Sequence, residues 1–182
     1  MSRILNFIVF ITVLVCPTVA LAQRRMPATD AGAIGGDVGV FIARDELLDS
    51  GPTLEGFYEY YFEPRTSVRL GMGWANPGFD TEDEDSLRYV RVAGDLVFNW
   101  EGGAVHPFAG AGLGVYFLQE KDNGQNFGDS ETKFGGTLFG GVEFFTSPTF
   151  SVKAEGRYHV ITNVSRFNPD GFALTIGAKK YF

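Results

Sequence analysis

The chain has 182 residues, with 15 basic and 22 acidic side chains and a formal net charge of −7. That balance excludes a nucleic-acid binder, which needs a basic face, and the single cysteine excludes a disulfide framework. The 24 glycines and 18 phenylalanines are both high for an ordinary soluble domain.

The first residues read as a secretory signal peptide. Arg3 gives the positive start, an apolar run follows over 4–15, and Ala20-Leu21-Ala22 is a small-x-small cleavage site. The run is too short for a retained spanning helix, which needs roughly 20 apolar residues. Cys16 is a poor lipoprotein acceptor, because Val15 precedes it where Gly, Ala or Ser is wanted. Cleavage after Ala22 gives a mature chain that begins at Gln23, without cysteine. Removing Arg3 leaves 14 basic against 22 acidic residues, a net charge of −8. Residues 23–33 form a short polar leader, and 34–182 make one domain by length.

From Ile34 onward the dominant period is two, the strand period. The pattern predicts eight strands, over 34–42, 54–62, 66–75, 89–100, 107–118, 133–145, 149–161 and 172–182. Each is close to the roughly 9–11 residues of a tilted membrane strand. Long polar connections at 43–53, 76–88, 119–132 and 162–171 alternate with short ones at 63–65, 101–106 and 146–148. Alternate long and short links are the pattern of an antiparallel up-and-down transmembrane β-barrel, with both chain ends on the periplasmic side.

Two faces alternate along each strand. In the third, Val68, Leu70, Met72 and Trp74 oppose Ser67, Arg69, Gly71 and Gly73. In the fifth, Ala109, Ala111, Leu113, Val115 and Phe117 oppose Phe108, Gly110, Gly112, Gly114 and Tyr116. A half-buried soluble sheet alternates too. Here, however, the crowded face is apolar and continuous in every strand, and the other face is small, polar or charged. An eight-stranded barrel has an interior just wide enough for side chains, so the second set is expected inside and the apolar set against lipid.

That parity sends Asp37, Glu55, Glu59, Arg69, Arg91, Asp95, Lys133, Glu143, Lys153, Glu155, Arg157 and Lys179 inward, and only Lys180 outward. A paired interior is expected, with Arg91, Lys153 and Arg157 partnered by Glu59, Asp95, Glu143 or Glu155. Outward aromatics gather at two levels. Tyr60, Phe62, Trp100, Phe144, Phe150 and Phe182 lie toward the periplasmic ends, and Trp74, Phe117, Phe134, Tyr158 and Phe172 toward the other. Two girdles around an apolar band are expected of such barrels.

Segments such as Pro107-Phe108-Ala109-Gly110-Ala111-Gly112-Leu113-Gly114, Lys133-Phe134-Gly135-Gly136, Ala154-Glu155-Gly156-Arg157-Tyr158-His159 and the closing Gly177-Ala178-Lys179-Lys180-Tyr181-Phe182 carry a resemblance over 34–182. Together they resemble the small bacterial outer-membrane β-barrel family, the outer membrane protein beta-barrel domain or porin family. The likeness is to an OmpA/OmpX-like barrel without a periplasmic domain. The resemblance implies the cell outer membrane, outer-membrane lipid and lipopolysaccharide as surroundings, and a terminal aromatic, here Phe182, as part of the signal read by the assembly machinery. Lys180 departs from the family, which usually has an aromatic or apolar residue third from the end.

Candidate chemistry is sparse. Some barrels of similar architecture deacylate lipid A with a His, Ser and Glu near the outer rim. His159 matches the base, but the nucleophile position two residues on is Ile161, and Thr162 has the opposite parity. The acidic run Asp80, Glu82, Asp83, Glu84, Asp85 lacks the ordered spacing of a calcium loop and reads as a solvated loop. Asn163-Val164-Ser165 is a sequon by pattern only. Gly110 to Gly114 sits inside a strand with no following Lys-Ser/Thr, so it is no phosphate loop. His106 and His159 are too far apart for metal-site spacing. No catalytic, cofactor or metal residues are expected. The sequence favours a monomeric, non-enzymatic barrel with a structural or surface-interaction role; the alternatives are a narrow channel for ions or small solutes and, behind it, a lipid A-modifying enzyme.

Overall fold

The computed structural model describes residues 27–45, 48–79, 82–100, 105–122, 125–126, 130–162 and 168–182. The expected signal peptide lies outside them. Eight long strands follow in order: β1 (Ala31–Ala43), β2 (Gly51–Glu63), β3 (Thr66–Ala75), β4 (Glu82–Asn99), β5 (Val105–Asp122), β6 (Glu131–Ser147), β7 (Phe150–Ile161) and β8 (Gly171–Tyr181). Each pairs antiparallel with the next, and β8 pairs back onto β1, so the sheet closes. Closure leaves no edge along the ring, the condition for a sheet to cross hydrocarbon.

The seam between first and last strand runs from Ala33↔Tyr181 to Ala43↔Gly171. Beyond it the Phe182 N–H donates to the Gly32 carbonyl at 2.9 Å, and the Gly32 N–H to the Phe182 carbonyl at 3.0 Å. At the same end the register slips between Tyr61 and Glu63 and between Phe145 and Ser147. Such bulges are common at barrel rims, where they end pairing.

Burial along the strands is inverted relative to a soluble protein. Leu113, Phe134, Ile176, Leu138, Met72 and Leu70 are among the most exposed side chains, and Arg69, Glu59, Lys179 and Glu143 are among the most buried. Leaving a large apolar side chain in water forgoes about 1.5–3 kcal/mol each. A continuous belt of them is sustainable only with hydrocarbon as the solvent.

Strand lengths depart from the expected ones outside this belt. β4 starts at Glu82 and β5 runs to Asp122, well beyond 89 and 118, because the two pair out to Ser86↔Lys121. Two-residue strands at Gly78–Phe79 and Gln125–Asn126 flank that ribbon. β1 begins at Ala31 rather than at residue 34, because Ala31 and Gly32 find partners in Tyr61 and Tyr60.

Candidate functional site

The interior of the barrel is filled with charge. Near the chain termini, Lys179 Nζ lies 2.7 Å from Glu143 Oε2 and 3.3 Å from Glu59 Oε2, and donates to the Tyr61 hydroxyl at 3.0 Å. Ser67 donates to Glu59 at 2.6 Å. The Ser151 and Tyr181 hydroxyls both donate to Glu143. Arg69 then bridges upward, with Nε 3.1 Å from Glu59 and Nη1 2.8 Å from Glu155.

Glu155 is the hub. It also receives Lys153 at 2.8 Å and Arg157 at 2.7 Å. Lys153 reaches Asp37 across the seam at 2.7 Å. Arg157 reaches Asp95 at 2.7 Å and Glu55 at 3.8 Å. Arg91 closes the chain with Asp95 at 3.0 Å and Glu55 at 3.1 Å. Five cations (Arg69, Arg91, Lys153, Arg157, Lys179) thus meet six carboxylates (Asp37, Glu55, Glu59, Asp95, Glu143, Glu155) in one connected network. Arg91, Lys153 and Arg157 lie against Asp95 and Glu155. Glu59 and Glu143 go instead to Arg69 and Lys179, because strand stagger places them nearer the termini. Lys133 sits at the loop-end rim, 3.0 Å from Glu131.

Parity explains why these residues share the interior, and small neighbours explain how they fit. Asp37 faces Gly177 across the seam, and a Cβ on that glycine would stand 1.8 Å from Asp37 Oδ1. Aromatic faces line the rest. Arg157 lies 4.0 Å from the Phe139 ring centre and Arg69 4.6 Å from that of Phe57. A cation over a ring face gains electrostatically, and more when both are dry.

Apolar layers cap both ends. Ala33, Tyr61, Phe145 and Tyr181 cluster at the terminus end. At the loop end Phe41, Leu48, Ala75, Leu87, Tyr89, Tyr116, Leu118, Ile161 and Ala173 cluster. Leu48, in a connection expected to be merely polar, is buried there. Asp170 is another residue missed as loop: its Oδ1 accepts the Ile161 N–H at 2.8 Å, and its Oδ2 lies 3.8 Å from Arg44. Between ionic layer and cap, a cavity of about 30 Å³ is lined by Glu55, Arg91, Arg157, His159 and Thr175, among others. That is room for about one or two waters.

Among the described residues, no nucleophile is paired with His159. Its Nδ1 lies 2.9 Å from the Tyr116 hydroxyl, and its ring packs 5.6 Å from Phe41. Ile161 is buried on the same face. The Thr162 hydroxyl donates to the Phe134 carbonyl at 2.8 Å. His106 is buried, 4.9 Å from the Phe145 ring. Gly110 to Gly114 lie within β5. The acidic run at 80–85 lies outside the described side chains, and Asn163-Val164-Ser165 outside the described residues.

A closed antiparallel ring, apolar outside and ionic inside, defines a small membrane-spanning β-barrel. The chain belongs to the family of the outer membrane protein beta-barrel domain, whose model matches residues 8–179. Its place is the cell outer membrane. Neisserial surface protein A is similar at 17% identity and a TM-score of 0.69, over 84% of this chain and 99% of that one. OprG of Pseudomonas aeruginosa is similar at 14% and 0.63, over 85% and 97%. Ail, the attachment invasion locus protein of Yersinia pestis, is similar at 17% and 0.59, over 85% and 99%. At these identities the likeness is one of fold. No curated protein sequence matches the chain.

Proposed function

We propose that this barrel is a non-enzymatic, monomeric outer-membrane protein with a structural or surface-interaction role, its interior a plug and its long loops turned to the environment. The observation that carries the reading is the continuous ion-pair network from Glu143 to Glu55, capped by apolar clusters at both ends. Moving Lys153 or Lys179 strands Asp37 or Glu143 in a low-dielectric interior, at about 3–5 kcal/mol, and the other carboxylates are each held by more than one cation, so no wet path opens by a single side-chain rotation. The long polar connections fit contact with lipopolysaccharide and with ligands outside. One barrel of this fold, Ail, is known in complex with the heparin analogue sucrose octasulfate. Phe182, the last residue of the seam, is proposed to serve the assembly machinery as a terminal aromatic signal.

Planar-bilayer recording on the purified barrel tests the plug. The expected trace has no stable conductance steps. Regular steps at constant voltage would replace this reading with that of a narrow channel for ions or small solutes.

A further inference from the structure

Strand parity places Lys180 on the hydrocarbon side. It stands on β8, exposed, between Ile34 of β1 and Phe150 of β7. Phe182 follows on the same face. An ammonium held at that depth would be costly, so the long stem must carry it to the interface. The structure shows which way it goes. Nζ reaches past the end of the strand to the turn between β6 and β7 and donates to Thr149 Oγ1 at 3.0 Å.

Three N–H donors sit on that nitrogen, and Thr149 takes one. Among the described residues no carboxylate pairs with Lys180, whereas Lys179 beside it is enclosed by Glu59 and Glu143. The backbone of Phe182 leans the other way, doubly bonded to Gly32 on β1. The free donors therefore face the headgroup layer of the periplasmic leaflet beside Phe150, the cross-strand partner of Lys180, while the Phe182 ring lies on the other side, over Gly32 and beside Tyr58. A phosphodiester is the complementary group there. A net-negative headgroup is favoured over a zwitterionic one, because the latter carries its own ammonium.

We propose that Lys180 and Thr149 form a binding site for the headgroup of an anionic phospholipid on the periplasmic side of the barrel, with Phe150 against its acyl chains. The site locates one lipid beside the strand that closes the ring. One basic residue near a membrane surface is worth about a fivefold change in anionic-lipid affinity.

Native mass spectrometry of the detergent-purified barrel, titrated with phosphatidylglycerol or phosphatidylcholine, tests this. Wild type is expected to retain phosphatidylglycerol preferentially. Lys180→Gln, which keeps a donor to Thr149 but removes the charge, should lower that retention about fivefold and leave phosphatidylcholine unchanged. Lys180→Arg should restore it. Heat-modified gel mobility confirms that each variant is a closed barrel before it is titrated. Equal phosphatidylglycerol retention in wild type and Lys180→Gln overturns the proposal. So does a loss that Lys180→Arg fails to restore, since charge would then not be the cause.

Discussion

Asp95 Oδ1 occupies the space that a methyl group on Gly112 would need: a Cβ built on that glycine lies 1.8 Å from it. The two are direct cross-strand partners on β4 and β5. The carboxylate can hold Arg91 and Arg157 at once only because its neighbour has no side chain. Gly112→Ala should push Asp95 off both guanidiniums. The expected cost is about 1–3 kcal/mol for overpacking, read as a lower urea midpoint. Gly56→Ala is the control, with nothing within 4 Å of the added carbon, and should be near neutral.

Arg157→Ala takes one cation each from Glu155 and Asp95 in a dry interior, leaving them to Arg69, Lys153 and Arg91 and the network with a larger excess of carboxylates. The variant should lose about 3–5 kcal/mol of unfolding free energy. Arg44, whose side chain is 63% exposed and 3.8 Å from Asp170, provides the comparison: Arg44→Ala should cost no more than about 1 kcal/mol. Equal losses in urea titrations of the two would mean that the interior is wet.

Leu113 is 77% exposed, and in a soluble protein Leu113→Lys there would be harmless. In a bilayer it should cost about 2–4 kcal/mol. Folding titrations in lipid vesicles measure the difference. An unchanged free energy would remove Leu113 from the hydrocarbon-facing belt.

Phe182→Ala keeps the backbone pairing with Gly32 and removes only the ring. If the ring is part of an assembly signal, the exported chain should accumulate in the periplasm and be degraded. Phe172→Ala, a girdle residue at the other end, should cost stability but reach the outer membrane. Fractionation of the two variants decides, and normal outer-membrane levels of Phe182→Ala leave the ring a packing role only. Deleting Phe182 is the harsher version, since Tyr181 would become terminal with its side chain turned inward.

Parity was the legible part of the sequence. A strand with two or more charges on one face, such as β7 with Lys153, Glu155 and Arg157, has only one orientation that spares lipid a charge. Strand ends beyond the membrane were not legible. Glu82-Asp83-Glu84-Asp85 has no apolar alternation to mark it as strand, and its backbone pairs at Glu82 with Phe79, beyond the last β4–β5 pair at Ser86↔Lys121. Partner choice inside was equally hidden. Whether Glu59 meets Arg157 or Arg69 depends on the stagger between strands, which alternation does not encode. Leu48 and Asp170 are single residues in polar connections, and nothing in their neighbours marks them as part of the cap.

The Gly32–Phe182 pairing joins positions separated by nearly the whole described chain. Closing so long a loop is slow, because its entropic cost precedes any reward from the contacts it makes. Until then the growing sheet has two bare edges, each a template for another chain. The outer edge of its first strand therefore stays open until the last one arrives.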